Sequence, residues 1–249
     1  MTRALVSGAR PRALVLGARG GIGSAVCDAL RELSVVDTVD IAAVVDAVAP
    51  CADAAITGRD FTLDLTDDAA RDLWLKDYLA DVGSPDYVVW CAGWYPRRDI
   101  REYSTSDLRH VVDLNLVAMI ALLPALVSAA LDNTKSMRLV VVGSQAAVTG
   151  GLDVPYAAAK AGLVAAVKSI AREYARQGII ANVVSPGPVE TPMAAVMGDE
   201  RRSFYENAIP LGRYTQPQEV ADVIAWLLTN APVAINGSVV DVDGGLVRR

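Results

Sequence analysis

Short, unbroken apolar runs alternate along the chain with longer segments whose apolar positions recur at helical spacing. The runs at 13–16, 39–45, 61–65, 87–90, 138–142, 179–184 and 238–242 predict strands. Their lack of polar alternation predicts burial on both faces. Helical spacing predicts helices over 22–33, 67–79, 106–131, 156–177 and 218–229. The helix over 67–79 opens on acidic residues and carries Leu73, Leu75 and Leu79 on its apolar face. The helix over 156–177 stops at Gly178, in the place of a C′ glycine. Residues 46–60 are weakly patterned and have room for at most a short helix. Strands separated by helices imply right-handed crossovers, hence an α/β fold: a doubly wound parallel sheet of about seven strands with helices on both faces. No repeat, low-complexity tract or linker interrupts the pattern, so 1–249 reads as one domain with 1–11 as an N-terminal extension.

Composition narrows the function classes. Of 249 residues, 53% are hydrophobic, 6% aromatic and 21% charged, and mean hydropathy is +0.31, which excludes a charge-rich disordered chain. Ala and Val dominate the apolar content, as suits Ala-rich helices over a buried parallel sheet. Lys and Arg number 23 against 29 Asp and Glu, a net charge of −6, which argues against a nucleic-acid partner. Cys27, Cys51 and Cys91 are too few and too scattered for a disulfide framework or a zinc site. His110 alone cannot supply a His-rich metal centre and leaves little room for a Ser-His-Asp triad, so no metal is expected. It reads as a surface or interface histidine. Residues 1–12 lack the apolar core of a secretion signal. The longest uncharged stretch, 114–131, is interrupted by Asn115, Pro124 and Ser128 and falls short of the ~20 apolar residues of a membrane span. The expectation is a soluble, reduced, cytoplasmic protein without a membrane partner.

Candidate chemistry begins after the first strand. Gly17, Gly20, Gly21 and Gly23 fall between a strand and a helix, where missing Cβ atoms let a pyrophosphate reach the helix N-terminus. The spacing is G-x-x-x-G-x-G rather than the common G-x-G-x-x-G. Adenosine selectivity is set where the second strand ends. Asp46, closing the 39–45 run, could accept both ribose hydroxyls and repel a 2′-phosphate. Asp40 is the weaker candidate, lying inside that run, and Arg19 could instead pair with a 2′-phosphate. The balance favours NAD over NADP. Further along, Tyr156 and Lys160 stand one helical turn apart. An ammonium beside a phenol lowers the phenol pKa and makes the pair a general acid/base for alcohol–carbonyl interconversion.

These residues, in this order, resemble the single-domain short-chain dehydrogenase/reductase family, which implies a Rossmann-type fold. The resemblance runs from Ala13 to Gly245. It rests on Gly17-x-x-x-Gly21-Ile22-Gly23, Asp64, Cys91-Ala92-Gly93, Asn115, Gly143-Ser144, Tyr156-x-x-x-Lys160, Ser185-Pro186-Gly187 with Thr191, and Asp243-Gly244-Gly245. The stretch from Pro210 to Ala221 is a further likeness. The resemblance implies Tyr156 as acid or base, with Lys160 binding the nicotinamide ribose and lowering the Tyr156 pKa. It implies Ser144 on the substrate oxygen and Asn115 holding a water in a proton relay. Arg19, Gly20 and Ile22 would line the pyrophosphate and adenosine ribose, and Asp64 and Leu65 the adenine. Pro186, Gly187, Val189 and Thr191 would fix the nicotinamide end. Three departures stand out: Leu16 replaces the usual Thr, Trp90-Cys91 replaces Asn-Asn, and Ser144 precedes Tyr156 by twelve positions, one fewer than expected.

Substrate choice is expected around Trp94, Tyr95, Gln145, Leu152, Tyr156 and Met193, with residues 194–208 as a lid. Their character points to an apolar or ring-containing secondary alcohol or ketone. A 3-oxoacyl thioester and a dihydrodiol carboxylate are the alternative substrates. The alternative class is a catalytically silent dinucleotide-binding sensor or scaffold, which would need the glycine turn but not the proton relay. The resemblance also implies a homotetramer or homodimer, built through helices 106–131 and 156–177.

Overall fold

The computed structural model describes residues 10–40, 58–195 and 198–247. Its strands are β1 (Arg12–Leu16), β2 (Val35–Asp40), β3 (Asp60–Thr62), β4 (Tyr87–Trp90), β5 (Met137–Val142), β6 (Ile179–Pro186) and β7 (Val239–Val242). They form one parallel sheet in the order β3-β2-β1-β4-β5-β6-β7. The helices are α1 (Gly21–Leu30), α2 (Asp68–Val82), α3 (Thr105–Val112), α4 (Ala118–Asp132), α5 (Ala146–Thr149), α6 (Val154–Tyr174), α7 (Pro192–Ala195), α8 (Asp199–Ala208) and α9 (Pro217–Thr229).

Successive strand residues point to opposite faces, and both faces are apolar. Leu14 and Leu16 of β1, with Leu139 and Val141 of β5, meet Tyr78 of α2, Leu122 of α4 and Leu163 of α6. Ala13, Val15, Val140 and Val142 point the other way, onto Val26 and Leu30 of α1 and Val220 and Ile224 of α9. This is the doubly wound architecture that the uninterrupted apolar runs predicted. Strand order reverses between β1 and β4, so a crevice opens beyond the carboxyl ends of these strands.

The second strand is a correction. It spans Val35–Asp40, so it starts before the predicted 39–45, of which 41–45 lies outside the described residues, and it pairs Arg12 with Val35 through Leu16 with Val39. The polar residue that disguised it, Asp37, is fully buried. Its carboxylate accepts hydrogen bonds from the Arg12 guanidinium (2.7 Å), the Tyr78 hydroxyl (2.8 Å) and the Arg59 backbone (2.8 Å). A paired, buried Asp interrupts an apolar run without ending a strand. Asp46 and Cys51 lie outside the described residues. β3 is shorter than the predicted 61–65 because Asp64 Oδ1 accepts the Thr66 N–H at 2.8 Å and turns the chain, sending Leu65 into the core.

The predicted helix 106–131 is two α-helices joined by a π turn at Asp113–Val117. The run Thr105–Asp132, like Val154–Gln177, is long and apolar enough to cross a bilayer by length and composition, contrary to the sequence expectation for 114–131. Here each lays one face against the sheet, and each carries a buried polar residue, Asn115 or Lys160.

Candidate active site

Backbone contact, not side chains, shapes the turn after β1. Gly17 has φ +83°, and a Cβ on it would lie 2.4 Å from the Ala92 nitrogen. The turn can therefore touch the segment after β4 only through glycine. A Cβ on Gly23 would meet the Gly17 carbonyl oxygen at 2.0 Å, and one on Gly21 would meet Thr191 Cγ2 at 2.6 Å. Gly20 differs, since its Cβ would find nothing nearer than 3.5 Å. α1 starts with no side-chain cap and no acidic residue in its first turn. Its leading N–H groups are left for an anion.

Asp46 lies outside the described residues; Asp40, the other candidate, is the last residue of β2. Its carboxylate accepts the Arg19 backbone N–H at 2.5 Å. The Arg19 guanidinium reaches across to Asp60 at 3.0 Å. Asp64 and Leu65 stand just beyond β3 on the same side of the sheet, the first in its turn and the second in the core.

The residues expected to handle the proton converge from three elements. Lys160 of α6 is buried and donates from Nζ to the carbonyl of Val142, the last residue of β5, at 3.0 Å. Tyr156 lies one turn earlier, its ring centroid 5.6 Å from that ammonium. Ser144 follows β5 and lines the same cleft as Tyr156. Asn115 is fully buried inside the π turn, where its Nδ2 donates to the Trp94 and Val111 carbonyls at 2.8 and 2.9 Å. A Cβ on Gly93 would come within 2.7 Å of Asn115 Oδ1 and 3.3 Å of Lys160 Nζ, so that glycine lets both side chains close on one backbone point.

Asp153, absent from the sequence expectations, anchors this group. It caps α6 by accepting the Tyr156 N–H at 3.1 Å, and its other oxygen accepts the Tyr103 hydroxyl at 2.7 Å and the Arg98 N–H at 3.2 Å. An Asp three residues before a helical Tyr is an N-cap signal the sequence does carry.

A cleft of about 370 Å³ opens over these groups. Of the residues singled out in the sequence, Ile22, Cys91, Gly93, Ser144, Gln145, Tyr156 and Lys160 line it. So do Pro186, Gly187, Val189, Thr191 and Met193. Gly17, Gly20, Gly21, Gly23, Ala92 and Asn115 do not line it. Trp94 does not line it; its indole packs edge-on against His110 at 5.4 Å, and Tyr95 faces the cleft instead. Tyr95 packs on Tyr156 with ring centroids 4.6 Å apart. From the segment 194–208, Ala194, Arg201 and Tyr205 reach the cleft. No sequence signal distinguished Arg201 from its charged neighbours.

Electrostatics depart from the simple Tyr–Lys expectation. Burial pushes the Tyr156 phenol up to about 12, against a lowering by the Ser144 hydrogen bond. Burial also lowers Lys160 to about 8, with the nearby Cys91 opposing the shift. Cys91 itself is pushed well up by burial, which makes it a packed thiol rather than a nucleophile.

A crevice at the strand-order reversal, a glycine turn on a helix N-terminus and a Tyr–Lys pair beneath one cleft define a class: dinucleotide-binding α/β oxidoreductases. Comparison with known proteins places the chain within it. Residues 17–247 match a short-chain dehydrogenase/reductase family model described as enoyl-(acyl carrier protein) reductase. The chain is 32% identical over 237 residues to the 3-oxoacyl-[acyl-carrier-protein] reductase FabG of Escherichia coli K12, covering 94% of this chain and 96% of that protein. It is 30% identical over 236 residues to FabG of Vibrio cholerae, with the same coverage. Among solved structures, a putative NAD(P)-dependent gluconate 5-dehydrogenase from Beutenbergia cavernae, with bound NADP, superposes with TM-score 0.86 at 31% identity. That match covers 96% of this chain and 98% of the other. The chain belongs to the short-chain dehydrogenase/reductase family. It is an oxidoreductase acting on CH–OH or keto groups with NAD(P).

Proposed function

We propose that the chain interconverts a small secondary alcohol and its ketone, with Tyr156 moving the proton at the substrate oxygen. The observation that carries this reading is the convergence of Ser144, Tyr156 and Lys160 on one cleft, with Asn115 packed behind Gly93. A silent sensor or scaffold would have no use for that set.

The residues fit a nicotinamide dinucleotide. The uncapped N-terminus of α1 and the Cβ-free turn suit its pyrophosphate, and Asp40 suits the adenosine ribose. Asp64 and Leu65 stand on the adenine side, while Pro186, Gly187, Val189 and Thr191 stand at the nicotinamide end. Bound there, NAD(P) supplies or accepts the hydride. In reduction, Tyr156 gives its proton to the carbonyl oxygen while Ser144 donates a hydrogen bond to that oxygen. In oxidation Tyr156 takes the proton back. Lys160, freed from the Val142 carbonyl toward the ribose, would stabilise the phenolate that Tyr156 becomes. Asn115 would hold a water against Lys160 and so return the proton from solvent.

NAD is favoured over NADP, because the Asp40 carboxylate beside the glycine turn would repel a 2′-phosphate and the Arg19 guanidinium already faces Asp60. Tyr95, Met193 and Tyr205 give the cleft an apolar, aromatic wall suited to a cyclic or branched substrate. A second reading, a 3-oxoacyl thioester, is favoured by the names of the curated relatives. Assembly into a homodimer or homotetramer is proposed through the outer faces of Thr105–Asp132 and Val154–Gln177, where Leu108, Val117 and Ile120 are exposed.

The test is turnover of a panel of cyclic and acyclic secondary alcohols and a 3-oxoacyl thioester, read as absorbance of reduced nicotinamide. Tyr156→Phe should lower kcat by about 10²–10⁴-fold at unchanged folding. Undiminished turnover in that variant would remove Tyr156 from the chemistry.

A further inference from the structure

The lid-side helix α8 carries two adjacent arginines with opposite fates. Arg202 is neutralised twice, by Glu190 at 2.5 Å and by Glu206 at 2.9 Å. Arg201 lines the cleft and has no carboxylate partner among the described residues. Its own helix offers Asp199 and Glu200, and neither pairs with it. It lies against an aromatic group instead: the guanidinium sits 5.8 Å from the Tyr205 ring centroid.

No Asp or Glu lines the cleft among the described residues. The other cation there, Lys160, spends its ammonium on the Val142 carbonyl. A half-buried guanidinium in an apolar, acid-free pocket is costly to leave unpaired, and its planar fork matches a carboxylate. Tyr95 links this charge to the chemistry, because its ring packs on Tyr156 and its phenol feels the Arg201 charge.

We propose that Arg201 binds a carboxylate on the substrate, so that the preferred substrates are short hydroxy acids and keto acids whose carboxylate lies on the Tyr95 and Tyr205 side of the reacting carbon. The inference rests on the oxidoreductase reading above and deepens it. A single guanidinium suits one negative charge; a phosphate dianion would call for a second cation, and the other cation of the cleft, Lys160, is held by the Val142 carbonyl.

The test pairs each acid with its own uncharged form. The panel is 3-oxocyclohexanecarboxylate and 3-oxohexanoate, each beside its methyl ester, with dihydroxyacetone phosphate as the phosphate arm. Wild type should reduce each acid with kcat/KM about 10–100-fold above its ester. Arg201→Ala should erase that preference, chiefly through KM, read as the acid-to-ester ratio within each variant; Arg201→Lys should restore part of it. Equal turnover of acids and esters by wild type, or a preference that survives Arg201→Ala, would overturn the proposal while leaving the alcohol–ketone reading intact. Preference for dihydroxyacetone phosphate over both acids would overturn the carboxylate assignment. If nothing in the panel is turned over, the melting temperature with NAD present decides. Stabilisation by the acids but not the esters, lost in Arg201→Ala, supports the anion site and counts against the reaction. No stabilisation by either overturns the proposal.

Discussion

The carboxylate of Asp40 accepts the backbone N–H of Arg19 at 2.5 Å, so the last residue of β2 closes directly onto the glycine turn. On the proposed reading this carboxylate would meet the adenosine ribose and oppose a 2′-phosphate on charge. Asp40→Ala should raise the ratio of kcat/KM for NADP over NAD by about tenfold or more, since a tenfold change needs only ~1.4 kcal/mol. Steady-state kinetics with both nucleotides measures it. An unchanged ratio would shift discrimination to Arg19 and its Asp60 partner.

The buried ammonium of Lys160 makes stability pH-dependent in a definite direction. Its folded pKa is about 8 against an ordinary 10.5, so between these values the unfolded chain binds the extra proton. Stability contributed by this site therefore rises with pH from about 8 to 10.5 and is flat below that window. Tyr156 acts oppositely above pH 10, because the folded phenol keeps its proton to about 12. Urea unfolding of the nucleotide-free protein should show wild type gaining on Lys160→Met from pH 8 to pH 10. A constant difference would mean that burial costs the ammonium nothing.

Most of the architecture was legible because a doubly wound sheet imposes long apolar runs with few exceptions. The exception, Asp37, cost the position of β2: buried polar residues are invisible to periodicity unless their partners are known, and Arg12, Arg59 and Tyr78 are distant in sequence. The glycine turn and the Tyr–Lys spacing were legible because both are local geometry. Trp94 and Tyr95 could not be told apart, since adjacent loop residues face opposite ways and only the π turn at Asn115 fixes which one enters the cleft. The cleft-facing charge of Arg201 goes with Arg202 turning to Glu190, a tertiary contact; the i,i+4 pair of Arg202 with Glu206 is legible in sequence but does not say which arginine faces the cleft.

Asp153 ties the start of the Tyr156 helix to the loop that carries Tyr95. Asp153→Ala removes an N-cap and leaves the Tyr103 hydroxyl without its acceptor, so it should cost about 2 kcal/mol or more. Tyr103→Phe removes one hydrogen bond and should cost about 1 kcal/mol. Denaturant melts give both values. Asp153→Ala should also lower kcat, since the helix turn bearing Tyr156 loses its fixed entry. A cost no larger than that of Tyr103→Phe would show that the cap contributes nothing beyond the tyrosine bond.

The four glycines of the turn separate fold from coincidence. A Cβ at position 23 would sit 2.0 Å from the Gly17 carbonyl oxygen, a clash with backbone that no rotamer relieves. Gly23→Ala must therefore push α1 away from the turn, and it should lose several kcal/mol of stability together with nucleotide binding. Gly20 has ordinary extended backbone angles, φ −72° and ψ 162°, and an added Cβ would make only a 3.5 Å contact. Gly20→Ala should change stability by less than about 1 kcal/mol, because alanine restricts the unfolded chain but is a poorer N-cap for α1 than glycine. Melting curves of the two variants, with and without NAD, distinguish the cases. A Gly20→Ala protein that folds normally but no longer gains stability from NAD would show that the turn must flex around the pyrophosphate rather than receive it preformed.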